Sequence, residues 1–75
     1  MKAIINGYVY DTETAELIYV DTATNRRYYV TPNRRFFFVC FNGIIQCISE
    51  DAVKKILGEH DYDKYVELFG EPRKG

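Results

Sequence analysis

Apolar residues come in short runs up to residue 48 and at helical spacing after it. The most telling run is Arg34-Arg35-Phe36-Phe37-Phe38-Val39-Cys40-Phe41-Asn42-Gly43-Ile44-Ile45-Gln46-Cys47-Ile48, two β-branched and aromatic flanks split by Asn-Gly. Asn and Gly tolerate the positive φ angles of a two-residue hairpin turn, so a hairpin is expected with Phe41 facing Ile44 and Cys40 facing Ile45. Lys2 to Ile5 and Tyr8 to Tyr10 flank Asn6-Gly7 in the same way. Glu16 to Val20 and Arg26 to Thr31 are strand-like on either side of an Asp, Thr and Asn-rich turn, and Pro32-Asn33 leads into the central hairpin.

Ser49 is a good N-cap, with Glu50 and Asp51 in the first turn where the helix dipole favours them. Ala52, Val53, Ile56 and Leu57 recur at helical spacing, and Gly58 is expected to stop that helix. Asp61 caps a second helix with the stripe Tyr62, Tyr65, Val66 and Phe69, closed by Gly70 and Pro72. The pattern predicts an α+β fold in one domain spanning residues 1–75. It consists of a small antiparallel sheet, an N-terminal hairpin plus a three- to four-stranded meander, followed by two short C-terminal helices packed on one face.

Two helices cover only one face of such a sheet. With Pro32-Asn33 as a two-residue connection, Val30 faces Arg35, Tyr29 faces Phe36 and Tyr28 faces Phe37. One face then presents Tyr28, Val30, Phe37, Val39, Phe41, Ile44 and Ile48, the expected helix dock. The other presents Arg27, Tyr29, Phe36, Phe38, Cys40, Ile45 and Cys47. A sheet with one wet face alternates apolar with polar residues, and Phe36-Phe37-Phe38 does not. Burying each phenylalanine is worth about 1.5–3 kcal/mol, so the second face calls for a cover. Three fit: the N-terminal hairpin folded back with Ile4, Tyr8 and Tyr10 as a lid, a self-association or partner interface, or bases stacked on the aromatic rings.

Composition and charge narrow the choice. Seventy-five residues with a formal net charge of −1 exclude a general polyanion binder. Residues 1–48 carry five Lys or Arg against four Asp or Glu, residues 49–75 five against seven, and Arg26, Arg27, Arg34 and Arg35 lie in one acid-free stretch. Arg34 to Phe41 matches the RNA-recognition signature at six of eight positions, which would make Phe36 and Phe38 stacking platforms with Arg27 and Arg35 near phosphates. Both small positions are lost to Arg35 and Phe37, and the strand-helix order of that fold is missing. A helix-turn-helix at the C-terminus is disfavoured by Asp61, Asp63 and Glu67, which would face phosphates. His60 stands alone, no nucleophile and base recur, and no phosphate loop or metal-ligand spacing occurs, so neither an enzyme nor a cofactor is expected. The apolar N-terminal run is too short for a signal peptide or membrane span. A cytoplasmic protein with reduced Cys40 and Cys47 is expected.

The ends of the chain carry a resemblance. Ile5-Asn6-Gly7, Tyr10-Asp11-Thr12 and Thr14-Ala15, then Ser49-Glu50, Ala52, Asp61, Asp63, Tyr65 and Phe69-Gly70, resemble a group of small bacterial and phage-borne proteins. That group opens with Ile-Asn-Gly-x-x-Tyr-Asp-Thr-x-Thr-Ala and ends on a Tyr-x-x-x-Phe-Gly helix. It is similar to accessory proteins of phages and mobile elements, some of them anti-CRISPR proteins or other inhibitors of host defence. The resemblance implies a non-enzymatic, protein-binding inhibitor of an unidentified host factor. No site residues carry over from that group; from the sheet faces and the arginine stretch, the residues expected to bind are Arg27, Tyr29, Arg34, Arg35, Phe36 and Phe38, with the arginines rimming an aromatic sheet face. A homodimer through that face is also expected, and a single-stranded nucleic-acid binder using Phe36 and Phe38 is the alternative.

Overall fold

Asn6 and Gly7 both adopt positive φ, 51° and 81°, the two-residue turn their residue types favour. In the computed structural model of residues 1–75 they join β1 (Lys2–Ile5) to β2 (Tyr8–Asp11) as a separate two-stranded sheet, with Ile5 opposite Tyr8. Asp11 closes the next turn, its carboxylate accepting from the Glu13 N–H at 3.0 Å and its carbonyl from the Ala15 N–H at 3.0 Å. A four-stranded antiparallel meander follows, in spatial order β3 (Glu16–Asp21), β4 (Arg26–Val30), β5 (Phe36–Val39) and β6 (Ile45–Ile48). Helices α1 (Glu50–His60) and α2 (Tyr62–Phe69) complete an α+β fold.

Both turns flanking β5 differ from expectation by one residue, in the same manner. Val30 pairs with Phe36, Tyr29 with Phe37 and Tyr28 with Phe38, because Pro32, Asn33 and Arg34 form a three-residue loop. Arg34 takes φ 64°, and the Thr31 N–H donates to the Arg35 carbonyl at 2.8 Å. Phe41, Asn42 and Gly43 form the second such loop, with only Gly43 at positive φ (84°) and Cys40 rather than Phe41 bonded to Ile44. A one-residue slip turns every side chain of a strand to the opposite face. Two slips cancel, so β4 and β6 keep their expected faces and β5 alone is inverted.

The helices therefore lie on Phe36 and Phe38, not on Phe37 and Val39. Ile18, Tyr28, Val30, Phe36 and Phe38 pack with Val53 and Leu57 of α1, and Tyr65, Leu68 and Phe69 of α2 close over them. A bulge between Leu17 and Tyr19 lets Ile18 and Tyr19 both point to this side. Over β5 and β6 the other face is covered by the N-terminal hairpin, where Tyr10 packs on Phe37 and Val39, with Ile5, Ala15, Tyr29 and Ile45 around them. Tyr8 and Ile4, expected as part of that lid, lie elsewhere: Arg35 stacks on the Tyr8 ring and Ile4 points outward. Cys40 packs against the helix-side cluster while Cys47 pairs with Phe37, whose side chain faces the lid, so the two thiols lie on opposite faces and remain free.

Ser49 caps α1 as expected, its hydroxyl accepting from the Ala52 N–H at 3.2 Å. Gly58 does not end the helix; α1 continues to Asp61, which closes α1 through its N–H to the Leu57 carbonyl and opens α2 by accepting from the Lys64 N–H. A Cβ at position 58 would meet Tyr65 at 3.9 Å, ordinary van der Waals contact. Gly58→Ala is therefore expected to stabilise the protein by about 0.5–1 kcal/mol, seen as a higher thermal midpoint. The α2 stripe is Tyr65, Leu68 and Phe69; Tyr62 is exposed and donates its hydroxyl to Glu71 at 2.9 Å.

Lys64 ties α2 to the sheet through Glu16 at 2.8 Å and also contacts Glu67 of its own helix at 2.6 Å. The Glu16 carboxylate first, then Glu67, holds the Lys64 ammonium above the usual lysine range. Its contribution to stability is present below the ordinary lysine pKa of roughly 10.4 and is lost as pH rises through the raised value. Lys64→Met is expected to cost about 0.5–1 kcal/mol near neutrality, with the gap in thermal midpoint closing in strong alkali.

Candidate protein-binding surface

The six residues expected to form one binding surface are dispersed. Phe36 and Phe38 are buried beneath the helices, Phe36 with its ring 5.8 Å from Phe69 and Phe38 with the Arg26 guanidinium 4.8 Å above it. This corrects the reading of both as an open stacking face, and it removes the bare aromatic surface on which a homodimer was expected. Arg34 serves the fold. Its guanidinium donates to the Leu68 carbonyl at 2.8 Å, meeting one of the carbonyls left unpaired at the end of α2, and lies over the Phe69 ring at 5.6 Å. Arg35 lies 3.4 Å over the Tyr8 ring and fastens the lid. The arginines thus do not rim one face: Arg26 and Arg34 are on the helix side, Arg27 and Arg35 on the lid side.

Arg27 and Tyr29 do lie together on the second face, as expected. Tyr29 stacks flat on Phe37, centroids 5.1 Å apart and planes within 10°, so its outer ring face is held still. The hairpin sits toward β5 and β6, with β1 against β6. The β3–β4 side keeps Leu17 and Val20 at 45% and 44% exposure. Val20 pairs with Arg27 and Leu17 with Tyr29, so the four side chains form one strip. No acid shares it: Glu16 and Asp21 pair with Val30 and Arg26, on the helix side. The Asp21 carboxyl is held below the usual aspartate range, chiefly by the Thr24 hydroxyl and then by the Thr24 and Ala23 N–H groups. Arg27 itself makes no ion pair and no side-chain hydrogen bond.

The strip runs into a notch of about 160 Å³ lined by Met1, Asn25, Arg27, Val39, Cys40, Phe41 and Gly43. Phe41 is 78% exposed at its rim. Its loop is built by the Gly43 N–H on the Cys40 carbonyl and the Ile44 N–H on the Asn42 side chain. Leu17, Val20 and Phe41 are the surface residues that the sequence reading missed. Phe41 carries a usable signal, an aromatic residue directly before Asn-Gly, but the loop is one residue longer than that pair predicts and takes Phe41 out of the strand.

The Tyr10 hydroxyl is pushed above the usual tyrosine range, first by the neighbouring Cys47 thiol and then by burial, against the pull of Arg35. No group of three or more His, Cys, Asp or Glu side chains is placed to hold a metal ion, and no helix is long and apolar enough to cross a membrane. Comparison with protein-family models, curated proteins and solved structures finds no match.

Proposed function

We propose that the chain is a non-catalytic protein-binding module that works through the strip of Leu17, Val20, Arg27 and Tyr29 and the adjoining Phe41. The observation that carries this reading is the unpaired Arg27 set among exposed apolar side chains on an otherwise covered sheet. Interface hot spots are enriched in arginine and aromatic residues held rigid before binding, and Tyr29 and the Phe41 loop are both fixed by the fold. The likeness of the opening and closing motifs to phage-borne proteins extends the proposal to an inhibitor of a bacterial defence system acting in the cytoplasm.

Site-specific photo-crosslinking in bacterial cells tests it. A photoreactive residue at Val20 should give a discrete adduct with one host protein, and the same residue at Lys55, exposed on α1, should not. Arg27→Asp should abolish the Val20 adduct. Equal labelling from both positions, or none from Val20, would contradict the proposal.

A further inference from the structure

The open strip has a width, a length and a charge, and these describe its occupant. It spans two neighbouring strands, about 10 Å across, close to the roughly 10–12 Å diameter of an α-helix with its side chains. The hairpin bounds the side toward β5, with Tyr10 in the cluster that Tyr29 and Ala15 pack against and Met1 in the notch beside Arg27 and Val39. The other side is the free edge of β3. From Leu17 to Val20 the strip runs roughly 10 Å, and past Arg27 it continues into the notch beside Phe41, a track that about three turns of helix would cover. A strand added to the edge of β3 fits less well. The bulge between Leu17 and Tyr19 in the β3–β4 pairing bends and twists β3, and edge pairing would leave the apolar side chains of the strip uncovered.

Charge fixes the rest. Any element that covers Leu17, Val20 and Tyr29 also removes water from Arg27, which has no partner in its own chain. A buried unpaired guanidinium is costly, so the occupant must bring a carboxylate. A second copy of the chain has no such helix free, because Val53 and Leu57 of α1 and Tyr65, Leu68 and Phe69 of α2 are engaged in its own core. Resting on the proposed function, we infer that the strip receives an amphipathic helix of the partner protein, with an aspartate or glutamate inside its apolar stripe placed against Arg27.

The probe is a set of synthetic helical peptides of about 14 residues, with leucines at helical spacing, identical except for Glu, Gln or Lys at one position within the stripe. Titrated into the ¹⁵N-labelled full chain, the Glu peptide should give saturable shifts at Leu17, Val20, Arg27 and Tyr29 and bind roughly tenfold more tightly than the Lys peptide, with Gln between them. Arg27→Glu, at an exposed position, should reverse that order. Absence of saturable shifts for the Glu peptide, equal binding of Glu and Lys peptides, or stronger binding of single-stranded oligothymidylate to the same residues would each overturn the inference. A Val20-specific, Arg27-dependent adduct in cells alongside such a result would sink the acidic helix and leave the protein-binding module standing, whereas loss of both would sink both.

Discussion

Replacing Phe37 by alanine is expected to destabilise the protein by about 3–5 kcal/mol, toward the upper end of that range. Phe37 is the one aromatic side chain with 0% exposure, and it meets Tyr10 edge-on at 5.5 Å and Tyr29 face to face at 5.1 Å. Each such ring pair adds about 0.5–1.5 kcal/mol beyond the area it buries. A domain of this length has about 4–11 kcal/mol in total, and only ten residues of the chain are buried, so the loss takes most of the reserve. Chemical denaturation should show a midpoint near zero denaturant, or no folded baseline. Because Phe37 joins lid to sheet, protease cleavage within residues 1–15 should accelerate before the helices are lost.

Leu57→Ala is expected to cost about 2–5 kcal/mol and to do so from the opposite side. Leu57 is 1% exposed in the cluster with Ile18, Tyr28, Phe36 and Phe38, and it lies a turn before Asp61, the residue that caps both helices. A cavity there loosens α1 and with it α2, whose own contacts are only half-buried. The expected signature is a lower thermal midpoint with dye-binding apolar surface, since Phe36 and Phe38 become accessible. A variant with a wild-type midpoint and no dye binding would mean that the helices rest on another face.

Where residue type dictates local conformation, the sequence was readable. Asn6-Gly7 needs two positive φ angles and has them, Ser49 and Asp61 cap as hydroxyl and carboxylate acceptors do, and Gly70 ends α2 at φ 85°. What could not be read is the facing of β5. Phe36, Phe37, Phe38 and Val39 are all buried, so their pattern carries no alternation from which to choose a face. The choice fell to loop length, where Arg34 takes the left-handed conformation usually left to Gly or Asn. Asn42 misled in a related way, because it uses its side chain to accept from the Ile44 N–H instead of a positive φ. Of the candidate site, Arg27 and Tyr29 were legible because two slips cancel outside β5. Arg34 and Arg35 were not, because their partners, Leu68 and Tyr8, are distant in sequence.

The strip around Arg27 is the open part of the sheet only if β5 directs Phe36 toward the helices and Phe37 toward the lid. Side-chain nuclear Overhauser effects in the free protein measure this directly. Phe36 ring protons should show contacts with Phe69, centroids 5.8 Å apart, and Phe37 ring protons with Tyr10, centroids 5.5 Å apart. Contacts from Phe37 to Leu57 or Phe69, with Phe36 facing Tyr10 or solvent, would contradict it.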